Sequence, residues 1–205
     1  MKPPFKLALA AALMFLVALA LANAGLPEYS HRVHPVALRG TAGLPWAFAY
    51  NLLAFVLPGT LLAWAGLRMR GALGDAGWAA RIGIVLVQLS ALAFAGQGVF
   101  PLDPNDADAT ASRMHALAWM LWWIAFVPGM LLLALGARRG APFALACLAA
   151  GVLVPLLAVF APIGAWVGIA QRLAFALWFG WWLLGSRVAI CASASGSGSS
   201  TTAGR

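Results

Sequence analysis

Residues 114–137 read MHALAWMLWWIAFVPGMLLLALGA, 24 positions with no Lys, Arg, Asp or Glu, closed by Arg113 on one side and Arg138 on the other. At about 1.5 Å per residue this run, wound as a helix, spans the roughly 30 Å of hydrocarbon in a bilayer. It is apolar on all sides, whereas a helix on the surface of a soluble domain keeps a polar face. The reading of this stretch sets the solvent of the whole chain as lipid.

Similar runs recur on both sides of it. Working outward, apolar spans are predicted at about 7–24, 45–67 and 82–99 before it and at 142–161 and 163–185 after it. Residues 140–171 are too long for one crossing, and Pro162 beside Gly164 supplies the break. From Leu173 to Ser186 there are only 14 uncharged residues, too few to cross alone, so Arg172 must lie within the sixth helix. The fold class is therefore all-α, a polytopic bundle of six transmembrane helices. Residues 188–205, rich in Ser, Gly and Thr, read as a disordered cytoplasmic tail.

Composition agrees. Of the 205 residues 63% are hydrophobic and 9% charged, against roughly 25% charged in soluble domains. The formal charge of +8 does not indicate nucleic acid, because the basic residues sit at the ends of apolar runs and not on one soluble face. Lys2, Lys6, Arg68, Arg70, Arg81, Arg138, Arg139, Arg187 and Arg205 fall on one side, and Arg32, Arg39 and Arg113 on the other. The positive-inside rule then puts both termini in the cytoplasm. Trp46, Tyr50 and Trp166 are expected at the outer interface, with Trp64, Trp178, Trp181 and Trp182 at the inner one. An Arg-, Ala-, Gly- and Leu-rich composition hints at a GC-rich bacterial genome, and the expected location is a bacterial cytoplasmic (inner) membrane, with membrane lipids as the immediate partners.

Two alternatives bear on this topology. Lys2 and Lys6, the apolar run and Ala22-Asn23-Ala24 also resemble a cleavable secretory signal, which would leave five helices. Pro58, Gly59, Gly66 and Arg68 each have a match 70 residues later, at Pro128, Gly129, Gly136 and Arg138, as a parallel duplication of hairpins would leave or as chance produces in Ala-, Leu- and Gly-rich sequence.

The outer side gathers the ionisable groups that topology does not explain. One loop reads Glu28-Tyr29-Ser30-His31-Arg32-Val33-His34-Pro35, and another Phe100-Pro101-Leu102-Asp103-Pro104-Asn105-Asp106-Ala107-Asp108, with His115 opening the next helix. His31, His34, His115 and Asp103 are candidate ligands for a divalent metal such as zinc, which takes three or four N and O donors. The alternative is that these loops are simply solvated, with Asp108 or Ser112 capping a helix. Ser30 beside His31 has the residue types of a hydrolytic triad, but no Gly-x-Ser-x-Gly elbow exists. A membrane-embedded Arg172 should face the interior and pair, with Asp103 or a bound anion, or else snorkel to headgroups. Asn51 and Gln97 are its candidate polar neighbours. His115, Trp119, Trp122 and Phe126 share one helix face, either walling a pocket or packing. Pro58, Pro128 and Pro155 can kink their helices, a feature of transporters and of plain packing alike.

Gly96-Gln97-Gly98-Val99-Phe100-Pro101-Leu102-Asp103 followed by His115, together with Tyr29-Ser30 through His34-Pro35 and Tyr50-Asn51 before Pro58-Gly59, resembles the bacterial six-helix membrane family catalogued as Domain of Unknown Function 998. The resemblance covers about residues 7–187, and Phe-Pro-x-Asp with the later histidine is its most specific element. It implies six helices with the first retained, marks Asp103, His115 and Arg172 as the polar positions of interest, and implies no activity. Three functions follow as expectations. In the first, Asp103, His115 and Arg172 form an outer-face site, binding or catalytic, for a lipid headgroup or small anion. In the second the chain is a small transporter, and in the third a non-catalytic structural or assembly partner.

Overall fold

The computed structural model describes residues 3–24, 26–73, 76–136, 140–161 and 164–195. Pro162, the topology charges Lys2, Arg138, Arg139 and Arg205, and residues 196–205 of the expected tail lie outside them. All regular structure in the described residues is helical, and six helices are long and apolar enough to cross a membrane. We number these α1 Pro3–Ala20, α2 Ala47–Gly71, α3 Trp78–Val99, α4 Thr110–Gly136, α5 Ala141–Phe160 and α6 Val167–Ser195. The last runs on to Ser195, past residue 188, where the sequence reading begins a tail.

Two helices contain a widened turn beside a proline. In α2 the segment Leu52–Val56 is π-helical, with Leu57 N–H donating to Leu52 O, immediately before Pro58. In α5 the segment Leu156–Phe160 is π-helical immediately after Pro155. Proline lacks an N–H and its ring crowds the carbonyl four residues back, which for Pro58 is that of Ala54, inside the widened turn. Pro128 stays inside the continuous helix α4.

The helices contact one another in a ring: α1 on α2, α2 on α3, α3 on α4, α4 on α5, α5 on α6 and α6 on α1. Small residues let the backbones approach. A Cβ on Gly59 would fall 2.6 Å from Ala91 O, and one on Gly83 would fall 3.1 Å from Gly129 O. The centre is filled with rings: Phe15, Phe55, Phe94, Trp122, Phe175 and Trp178, from five helices, are all buried. Phe94 is the hub, 4.7 Å from Trp178, 5.2 Å from Phe55 and 5.2 Å from Phe175 between centroids. Trp122 and Phe126 of the α4 stripe are packing residues in this core.

Trp178, Trp181 and Trp182 share one environment. They are buried between helices and do not face outward. Their spacing puts them on the face of α6 that meets Phe94, Trp122 and Phe126. The outward faces are as apolar as the inside: Leu135, Leu145 and Val152 are all exposed. Such a surface is stable only against hydrocarbon.

The two ends differ. At one, short connections join α2 to α3 and α4 to α5, and Lys6, Arg68, Arg70, Arg81 and Arg187 are exposed. At the other lie the long connection from α1 to α2, with a 3-10 turn at Val36–Gly40, the connection at 100–109, and residues 161 and 164–166. This second, loop-rich end holds the polar residues.

Candidate functional site

Arg172 lies in the second turn of α6, and the α1–α2 connection is wrapped over it. Its Nε donates to His31 Nδ1 at 3.2 Å and one terminal nitrogen donates to Tyr29 Oη at 2.7 Å. The other terminal nitrogen donates to His34 O at 3.0 Å and to Gly168 O at 2.8 Å. The loop can lie this close because position 168 has no side chain. A Cβ there would fall 2.5 Å from His31 O and 2.7 Å from His34 O. Gln171 adds a second anchor, its Oε1 accepting from Val36 N–H at 3.1 Å.

A second guanidinium lies deeper. Arg39 is 2% exposed and donates from Nε to Ala22 O at 2.9 Å, and from its terminal nitrogens to Ala24 O at 3.1 Å and Pro45 O at 2.6 Å. It thereby ties the carbonyls that follow α1, where a cation also offsets the negative end of that helix's dipole, to the residues that precede α2. Its charge lies 5.8 Å from the centre of the Tyr50 ring. Tyr50 donates to Val36 O at 3.2 Å, and Tyr29 donates to the adjacent Pro35 O at 3.3 Å while accepting from Arg172. Arg39, Tyr50, Tyr29 and Arg172 thus form one connected polar layer. Asn51 closes its floor by donating to Gly40 O at 2.8 Å.

Neither guanidinium has a carboxylate partner among the described residues. The ion pair found there, Arg113 with Asp108 at 3.2 Å, is exposed and lies elsewhere. Burial raises the Tyr29 phenol above its usual pKa, and the nearby Arg172 charge only partly offsets this, so Tyr29 is a neutral hydrogen-bond donor and acceptor. Burial, then the Arg172 charge, lowers the His31 pKa, which keeps its Nδ1 available as an acceptor.

The structure separates the residues that the sequence grouped. Asp103 turns its carboxylate onto its own loop, accepting from Asn105 N–H at 3.0 Å, and does not meet Arg172. Its N–H is held by Ser112 Oγ at 3.1 Å, and that hydroxyl donates to Asp106 O at 2.8 Å. His115 is buried, with Nδ1 2.9 Å from Phe100 O and 3.0 Å from Gln97 O. Two carbonyls can only accept, so Nδ1 carries the proton and His115 caps the end of α3.

The metal set His31, His34, His115 and Asp103 is likewise not assembled: among the described residues no three such groups converge. His31 Nδ1 faces a cation, and His34 Nδ1 accepts from Ser30 N–H at 3.0 Å. A guanidinium at this distance opposes a second positive charge on the same ring.

Arg39 was counted from the sequence only as a topology charge and was not assigned to the site. Tyr29, Tyr50 and Gln171 were also not assigned to the site. The available signal was Arg39-Gly40 in a loop that returns to a membrane helix opening on Tyr50-Asn51.

Six apolar helices around an aromatic centre, with a polar layer at one end, define a multi-pass membrane protein. The chain belongs to the family described as Protein of unknown function (DUF998), whose model matches residues 9–188. No curated protein and no solved structure matches it.

Proposed function

We propose that this chain is a multi-pass protein of a bacterial cytoplasmic membrane that holds an anionic group, a lipid headgroup or small phosphate, at its loop-rich end. The positive-inside distribution of Lys6, Arg68, Arg70, Arg81 and Arg187 at the opposite end supports an outer location for that site. The observation that carries the reading is the pair Arg39 and Arg172, two cations held by carbonyls and neutral rings with no carboxylate partner among the described residues. An uncompensated charge removed from water costs several kcal/mol, which carbonyl dipoles offset only in part. A bound anion completes the compensation.

The role is binding and not turnover in this reading. Arg172 presents its remaining N–H, Tyr29 orients it, and His115 and Asp103 keep the surrounding loops in place through the hydrogen bonds above. Permeation draws less support, because rings fill the middle of the helices. The test is thermal unfolding in detergent with added glycerol 3-phosphate against glycerol at matched ionic strength. Stabilisation by the phosphate alone, reduced in Arg172→Lys, is expected, and equal effects of both solutes contradict the proposal.

A further inference from the structure

An apolar slot of about 300 Å³ lies between α1 and α2, walled by Ala18, Leu21, Ala49 and Leu53, with Arg39 and Tyr50 beside it. It opens on the membrane-facing surface, where Leu21 is 56% and Trp46 77% exposed. Arg39 is the one charged residue lining it. Of its five N–H groups three are engaged among the described residues, all by carbonyls.

Resting on the anion-binding reading above, we infer that the ligand is an anionic phospholipid, with one acyl chain in the α1–α2 slot and its phosphate toward Arg39. The walls choose the chain: they offer no polar side chain except at the Arg39 end, and hydrocarbon is the surrounding solvent. The charge chooses the head, since a cation with no acid in the slot favours phosphate over a neutral or cationic group. Size excludes a partner helix, which is about 10 Å across with its side chains. A free phosphate would satisfy Arg39 but leave the slot without an occupant of its own chemistry. Trp46 stands at the mouth, held with φ 62°, where an indole suits the boundary between chains and headgroups.

The test uses the full chain in detergent, by native mass spectrometry with phosphatidylglycerol or phosphatidylcholine, beside thermal unfolding with glycerol 3-phosphate. Arg39 variants risk loss of the fold, so the slot is filled by Ala49→Phe at an exposed position. The expected result is retention of phosphatidylglycerol over phosphatidylcholine, weakened about tenfold in Ala49→Phe, with the response to glycerol 3-phosphate intact. Phosphatidylglycerol binding unchanged in Ala49→Phe, with that response intact, overturns the slot and leaves the anion site standing. Equal retention of both lipids overturns the choice of an anionic head. No response to either phosphate compound removes both readings.

Discussion

Arg172 and His31, 141 residues apart in sequence, are joined by a hydrogen bond of 3.2 Å from Nε to Nδ1. The bond requires a neutral imidazole, because a protonated Nδ1 has no lone pair to accept it. Stability should therefore depend on pH in a stated direction. The folded state holds the His31 pKa below its usual value, so the unfolded chain takes up the proton first as pH falls. The contribution of His31 is complete above the unfolded pKa of about 6.5 and is lost as pH drops through the lower folded value. Thermal unfolding from pH 8 to pH 5 should show wild type losing more stability than His31→Asn; parallel curves contradict this.

Arg39 and Arg113 give a contrast between two arginines that look alike in sequence. Removing the buried guanidinium in Arg39→Gln strands the carbonyls of Ala22, Ala24 and Pro45, at a cost of about 1–3 kcal/mol for each group left unsatisfied. Arg113→Ala loses only an exposed pair, worth about 0–1 kcal/mol. Equilibrium unfolding in mixed micelles should separate the two, and similar losses would refute the clasp assigned to Arg39.

That contrast shows where sequence reading stopped. Crossing helices are legible because 18 or more apolar residues in a row leave few alternatives to a bilayer. Helix ends shift where polar residues continue the helix: α2 runs through Arg68 and Arg70 to Gly71, and α3 begins at Trp78, before Arg81. Arg172 was legible as a charge inside an apolar run, but its partners were not. Acceptance by the carbonyls of His34 and Gly168 leaves no mark on residue type, whereas Asp103 drew attention by its charge although its carboxylate only closes a local turn.

Gly168 tests the packing that brings the loop onto α6. In Gly168→Ala the new methyl meets the carbonyls of His31, Arg32 and His34 at 2.5–2.8 Å, and overpacking of this kind costs about 1–3 kcal/mol. Gly180→Ala, with nothing within 4 Å of the added carbon, is the control and should be neutral or slightly stabilising, since alanine is the better helix former. Equal behaviour of the two variants in thermal unfolding would argue against a tightly seated loop.

His115→Ala removes the donor shared by Gln97 O and Phe100 O and should destabilise by about 1–3 kcal/mol. Chelation of wild type with EDTA should leave its unfolding temperature unchanged, because the histidines already have other partners. A drop on chelation, abolished in His115→Ala, would replace the capping role with a metal site.

The most direct test of the cation pair compares unfolding temperatures in phosphatidylglycerol and phosphatidylcholine nanodiscs at matched ionic strength. The account predicts a higher value in phosphatidylglycerol for wild type and for Arg68→Gln/Arg70→Gln, which lowers general surface charge at the opposite end. The difference should shrink in Arg172→Lys. Equal unfolding temperatures in the two lipids, or a difference that follows Arg68 and Arg70 and ignores Arg172, would contradict an anion site at the loop-rich end.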